Sequence, residues 1–260
     1  MIKAAIGIGA VAAMIGTPVL AADMAVKAPA PEPACTWCGW YLGLNIGGAW
    51  DASTSASFSG NPAAAINFAN NEFPTTLSPD PKGVIGGGQI GYNWQPSQNF
   101  VLGFEADIQG SGYKGTATAS PVPTTLFIPA TTSVEQHSYW FGTLRGRVGF
   151  VASQNLLLYG TGGLAYGQTE VSFNTFPPGI TCSGYVTCAN GSSSTTRAGW
   201  AAGGGFEWMV APHWSVKAEY LYVDLGSQSV TAISSAPTIS FTASAPFHEN
   251  IARGGVNWHF

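Results

Sequence analysis

Phe100-Val101-Leu102-Gly103-Phe104-Glu105-Ala106-Asp107-Ile108-Gln109 carries the cleanest alternation in the chain. Phe100, Leu102, Phe104, Ala106 and Ile108 share one face, and Glu105, Asp107 and Gln109 share the other. A repeat of two places successive side chains on opposite sides of an extended chain, so this stretch reads as a β-strand. Its two faces differ in an unusual way, because one is wholly apolar and the other carries charge.

Seven further segments repeat the pattern outward from this one. They are Trp40–Trp50, Gly83–Trp94, Tyr139–Phe150, Leu156–Gly167, Arg197–Val210, Trp214–Leu225 and a last one running from beyond Pro246 to Phe260. Short connections follow Trp94, Phe150 and Val210, at 95–99, 152–155 and 211–213. Long Ser/Thr/Ala/Pro-rich loops occupy the alternate positions, to Lys82, from Ser111 to Gln136, from Gln168 to Thr195, and on to Pro246. Short and long connections in strict alternation are what an up-and-down barrel needs when both termini lie on its short-turn side.

Composition decides the solvent. Only 8% of the 260 residues are charged, against roughly a quarter in an ordinary soluble domain. The net charge of −4 gives no sign of a nucleic-acid partner. Beyond the first residues, no run reaches the roughly 20 apolar residues of a membrane helix. A closed barrel satisfies its backbone in lipid without one. Aromatics such as Trp40, Trp50, Trp94, Phe100, Phe150, Trp208 and Trp214 gather near strand ends, where a girdle meets the headgroups. The fold expected is all-β: an eight-stranded antiparallel up-and-down transmembrane β-barrel with an N-terminal signal peptide. A soluble sandwich with the same alternation would need polar residues where this chain has Trp, Leu and Phe.

Residues 1–21 supply a basic start at Lys3, an apolar Ala4–Leu20 run and a small-residue cleavage site, as a secretory signal does. Cleavage removes Lys3 alone among the charged residues and takes the net charge from −4 to −5. Residues 22–38 read as an Ala/Pro-rich periplasmic linker, and 39–260 as the barrel. The destination expected is the outer membrane of a Gram-negative cell, with its lipids, lipopolysaccharide and barrel-insertion machinery as partners.

The polar face collects Glu105, Asp107, Glu207, Glu219 and Glu249 with Arg145, Arg147, Arg197, Lys217 and Arg253. An eight-stranded barrel has an interior only wide enough for side chains, so five acids and five bases there must pair. The balance favours a salt-bridged plug; a narrow polar pathway for ions or small solutes is the alternative. Inward Gly and Ala, such as Gly43, Gly91, Gly163 and Gly203, leave that second reading open.

Four cysteines are expected to oxidise in the envelope. Cys35 and Cys38 precede the first strand, whereas Cys182 and Cys188 lie in the third external loop, and about 25 Å of apolar band separates those levels. Local bridges Cys35–Cys38 and Cys182–Cys188 follow. The C-x-x-C spacing lacks the βαβ surroundings of a redox site. Gly86-Gly87-Gly88-Gln89-Ile90-Gly91 fits a dinucleotide pattern but continues as a strand, not a helix. His137, His213, His248 and His259 show no metal-ligand spacing, and His137 and His248 fall near the external rim. No cofactor, metal or catalytic arrangement is expected.

Several runs resemble the outer-membrane immunogenic proteins of α-proteobacteria, a family of small surface-antigen barrels. They include Gly39-Trp40-Tyr41-Leu42-Gly43-Leu44-Asn45-Ile46-Gly47-Gly48, Leu158-Tyr159-Gly160-Thr161-Gly162-Gly163-Leu164-Ala165-Tyr166-Gly167 and Lys217-Ala218-Glu219-Tyr220-Leu221-Tyr222-Val223-Asp224-Leu225-Gly226. The ending, with Val256, Trp258 and Phe260, is similar to the family's and looks like the signal read by the insertion machinery. The resemblance implies an abundant structural envelope protein whose loops face a host or, in some members, haemin.

Overall fold

The computed structural model describes residues 35–52, 55–124, 130–177, 179, 182, 188–235 and 238–260. The expected signal peptide and most of the expected linker lie outside the described residues.

Eight long strands form a closed ring: β1 (Gly39–Asp51), β4 (Lys82–Ser97), β5 (Phe100–Ala119), β6 (Thr131–Ser153), β7 (Leu156–Phe176), β8 (Ala189–Ala211), β9 (Trp214–Ile233) and β10 (Ser240–His259). Each pairs antiparallel with its neighbour, and β1 pairs with β10 from Tyr41↔His259 to Asp51↔Glu249 to shut the seam. Closure leaves no free edge within the ring, which is what hydrocarbon demands of a sheet. Outward positions carry exposed apolar side chains, among them Leu44, Ile46, Val84, Val148 and Leu164. In water such a surface would aggregate; against lipid it is the solvated face.

Three two-residue turns, Gln98-Asn99, Gln154-Asn155 and Pro212-His213, join strands at the end that holds both described termini. They are linked around the rim: Val151 N–H donates to Asn99, Met209 to Asn155, His259 to His213, and Phe260 to Trp40.

At the other end the structure departs from the expected loops. Residues taken for loop are largely strand, because β5 runs on to Ala119, β6 starts at Thr131, β7 reaches Phe176, β8 starts at Ala189 and β9 reaches Ile233. These strands hold 20 to 23 residues, about twice the 9–11 that cross a bilayer. A β-walled turret therefore stands above the membrane. The expected loop before Lys82 contributes to its wall, since β2 (Ala56–Gly60) pairs with β10 where β1 has ended, and β3 (Thr76–Leu77) pairs with β2. Between them a 3₁₀ turn at Pro62–Ala64, capped by the Asn61 side chain, leads into the short α1 (Ala65–Ala69).

Two bulges explain why the alternation breaks off. On β6 the register shifts between Ser138 and Trp140, so the inward set changes from Val134, Gln136 and Ser138 to Phe141, Thr143 and Arg145. On β9 the shift falls at Gly226, and the inward set passes from Val223 and Leu225 to Gln228 and Val230. Gly226 has φ 74°, and its N–H is held by the Asp224 carboxylate at 2.7 Å. A Cβ there meets the left-handed penalty of about 1–2 kcal/mol. Gly226→Ala is thus expected to lower stability by about that amount, with Gly226→Asn losing less. Urea unfolding of the protein in vesicles measures both; equal stability of all three would show that the bulge does not depend on this conformation.

Candidate functional site

The barrel interior is filled in three tiers of different chemistry. The middle tier lies within the membrane band. Arg145 reaches Glu105 at 2.5 Å, Asp107 at 2.9 Å and Glu219 at 2.9 Å. Arg253 holds Glu219 at 2.6 Å and Asp107 at 2.9 Å, and Lys217 holds Glu105 at 2.9 Å. Arg147 pairs with Glu207. Four cations face four carboxylates, and each of the eight side chains is at most 3% exposed.

Two tyrosines join the pieces. Tyr41 donates to Glu105 at 2.8 Å and accepts from Arg147, whose guanidinium stacks 3.8 Å over the Tyr159 ring. Tyr159 in turn donates to Glu219 at 3.2 Å. Ser215 and Asn257 both donate to Glu207, and Asn257 accepts from Gln89, which accepts from Asn45. Neither tyrosine stood out in the sequence, although Tyr41 falls on the polar face of its strand. An aromatic on that face was the available signal.

Below this tier the mouth at the short-turn end is floored by Trp37, which is fully buried against Val101, Leu157 and Met209. Its ring meets His259 edge-on at 6.0 Å, and the Trp37 backbone N–H donates to the Gln95 side-chain oxygen. The disulfide Cys35–Cys38 closes the short loop that carries it. Trp37 is therefore packed as the barrel floor although Cys35 and Thr36 beside it stay exposed: one large apolar ring fits the mouth left between strands. Above the ionic tier the turret holds an apolar core that includes Phe58, Phe73, Phe173, Phe241 and Phe247. Phe73 and Phe241 lie 4.3 Å apart between centroids. The second bridge, Cys182–Cys188, sits at the turret's far end.

Two of the ten charges expected in the lumen network are elsewhere. Arg197 is half-buried where β8 and β9 begin to pair, and its Nε donates to the Leu225 carbonyl. It makes no ion pair among the described residues. Glu249 is buried above the lattice, across from Asp51 in the β1–β10 register and one inward step beyond Ile251. It faces inward as expected but is too far along β10 to join Arg253. His137 and His248 are not brought together either. They lie on β6 and β10, on opposite sides of the ring, with outward side chains; His137 packs at a tilt against Tyr139, and His248 is 3.4 Å from Asp224.

Removing one partner of a buried ion pair strands the other, at about 3–5 kcal/mol. Arg145→Met is therefore expected to cost that much in urea unfolding, and Glu135→Gln, which breaks an exposed pair with Lys114, under about 1 kcal/mol. Equal effects would mean the lattice is hydrated. Trp37→Ala is expected to cost about 3 kcal/mol; if it costs nothing, the floor does not seal in solution.

The chain matches the family model described as outer membrane protein beta-barrel domain over residues 17–260. It is 37% identical to the 31 kDa outer-membrane immunogenic protein of Brucella melitensis biotype 1 over 260 residues, covering 97% of this chain and 98% of that one. A 22 kDa outer membrane protein of Rhizobium leguminosarum bv. viciae is 35% identical over 144 residues, which is 55% of this chain and 54% of the relative. Among solved structures, the outer membrane protease OmpT of Escherichia coli aligns over 85% of this chain and 96% of its own, at 10% identity and a TM-score of 0.49. With a ring of eight strands, a lipid-facing apolar surface and a matching family model, the chain belongs to the outer-membrane β-barrel family and resides in the outer membrane.

Proposed function

We propose that this protein is a non-conducting structural barrel that contributes to envelope integrity and displays its turret at the cell surface. The observation that carries the reading is the stacked filling of the lumen. A permeating ion would have to pass an aromatic floor, a neutral lattice of eight paired charges and an apolar core in turn. Charges that satisfy one another offer a moving ion neither a binding site nor a hydrated path. Rows of ion pairs between β5, β6, β8, β9 and β10 instead cross-link strands far apart in sequence.

In this reading the termini and short turns face the periplasm, residues 1–21 are removed on export, and Val256, Trp258 and Phe260 serve the insertion machinery. Those three side chains are exposed on the outer face of the last strand, where a docking surface could read them before closure. The turret and its connections would face lipopolysaccharide and host molecules.

Single-channel recording in a planar bilayer tests the proposal. The refolded protein is expected to stay silent while its heat-modifiable mobility confirms the fold. Steady steps altered by Arg145→Met or Glu105→Gln would overturn it and establish a narrow pore.

A further inference from the structure

Nine Lys and Arg residues occur in the chain, and Lys3 and Lys27 precede the described part. Arg145, Arg147, Lys217 and Arg253 are consumed by the lattice, and Arg197 is half-buried on a carbonyl. The remaining two, Lys82 and Lys114, are the exposed basic side chains among the described residues, and they are directly opposite each other on β4 and β5. His137 of β6 is the next residue in the same row, opposite Lys114. Trp50 of β1, an outer-girdle aromatic, begins that row opposite Lys82. Like charges directly across a strand pair are destabilising. Lys114 is partly neutralised by Glu135 at 2.8 Å, on the side away from the membrane, while Lys82 makes no hydrogen bond or ion pair among the described residues. Glu170, beyond His137 in the row, is engaged by Tyr139.

The lipid-facing surface beneath this row has a second unusual feature. Gly86 of β4 lies opposite Gly110 of β5, flanked in register by Ile46 of β1 and Trp140 of β6. A side chain added outward at either glycine would meet no atom closer than about 3.5 Å, so the two form a bare floor between apolar walls. The furrow runs toward the membrane centre past Gly88, with Leu44 and Ile108 at its sides. Toward the row it continues along Gly112 of β5, with outward Val84 of β4 beside it, so it has the form of an acyl-chain seat leading up to two ammonium groups at the level of the outer headgroups.

We infer that Lys82 and Lys114, with the glycine furrow below them, form a binding site for a phosphorylated, acylated lipid of the outer leaflet, namely lipopolysaccharide. A phosphate bridges the two lysines and relieves their repulsion, and one acyl chain lies over Gly86 and Gly110. A glycerophospholipid offers similar chemistry but belongs to the opposite leaflet from this row. The inference rests on the proposed orientation, termini inward, and is independent of whether the lumen conducts.

Refolded protein is equilibrated with phosphatidylcholine vesicles containing either lipopolysaccharide or phosphatidylglycerol, extracted in mild detergent, and weighed intact by native mass spectrometry. Wild type is expected to retain one lipopolysaccharide in preference to phosphatidylglycerol. Lys82→Gln/Lys114→Gln is expected to weaken retention about thirtyfold, as two basic groups at a membrane surface would. Gly86→Leu, which keeps both lysines and fills the furrow, is also expected to weaken it. Both variants should keep heat-modifiable mobility. Retention unchanged in the lysine variant, or phosphatidylglycerol held equally well, would overturn the site. Maleimide labelling of Ser120→Cys on intact cells reports the orientation separately: a label that fails to attach would refute the topology instead.

Discussion

Eight charges enclosed in a barrel too narrow for water to solvate them have to neutralise one another, and much else in the molecule follows from that. Isolated, each would be prohibitively costly in a low-dielectric interior. Together they constrain register more sharply than apolar packing could. Arg145 and Glu219 are 74 residues apart, and Asp107 and Arg253 are 146 apart. A slip of one residue in any of β5, β6, β8, β9 or β10 would turn its charges out into lipid. The lattice is thus weak evidence of stability and stronger evidence of specificity, since this pairing of strands matches all eight of its charges.

The same enclosure accounts for the glycines on the inner face. A Cβ at Gly91 would fall 2.3 Å from the Tyr41 ring, and one at Gly163 would fall 2.1 Å from the backbone oxygen of Leu144. Large rings and guanidinium groups fill the centre because their opposite numbers have no side chain at all. Small inward residues had left room, on sequence grounds, for a water-filled path; in the fold that room is taken by Tyr41, Tyr159 and Arg145.

Much of this was legible in the chain. Alternation at Phe100–Gln109 and an apolar outer face determine a lipid-facing strand, and the parity of the charges placed eight of them in the lattice. The unread part has physical causes. Gly226 and the Ser138–Trp140 bulge change which parity points inward, so a period-two reading stops at the bulge although the strand does not. On β8 the Ser/Thr-rich run 192–196 carries no apolar signal, because its pairing comes from backbone hydrogen bonds to β7. Val171 and Phe173 on β7 keep their parity into the turret and could have been read. Trp37 was hidden by its setting, a large ring inside what composition presents as a linker.

A filled interior changes where chemistry can reside. Floor, lattice and turret core differ in kind, so no single substitution converts the lumen into a path: losing a charge leaves the apolar tiers in place, and losing a ring leaves the lattice. In the proposed reading, function is thereby displaced to the outside of the cylinder. There the two exposed lysines among the described residues stand in one row instead of being scattered for solubility. A surface built to be ignored by lipid everywhere else has, above one side-chain-free furrow, the two groups that lipid phosphates recognise. The filled barrel and the proposed outer-face site belong to one arrangement, in which the interior fixes the register that places residues of different strands side by side on the exterior.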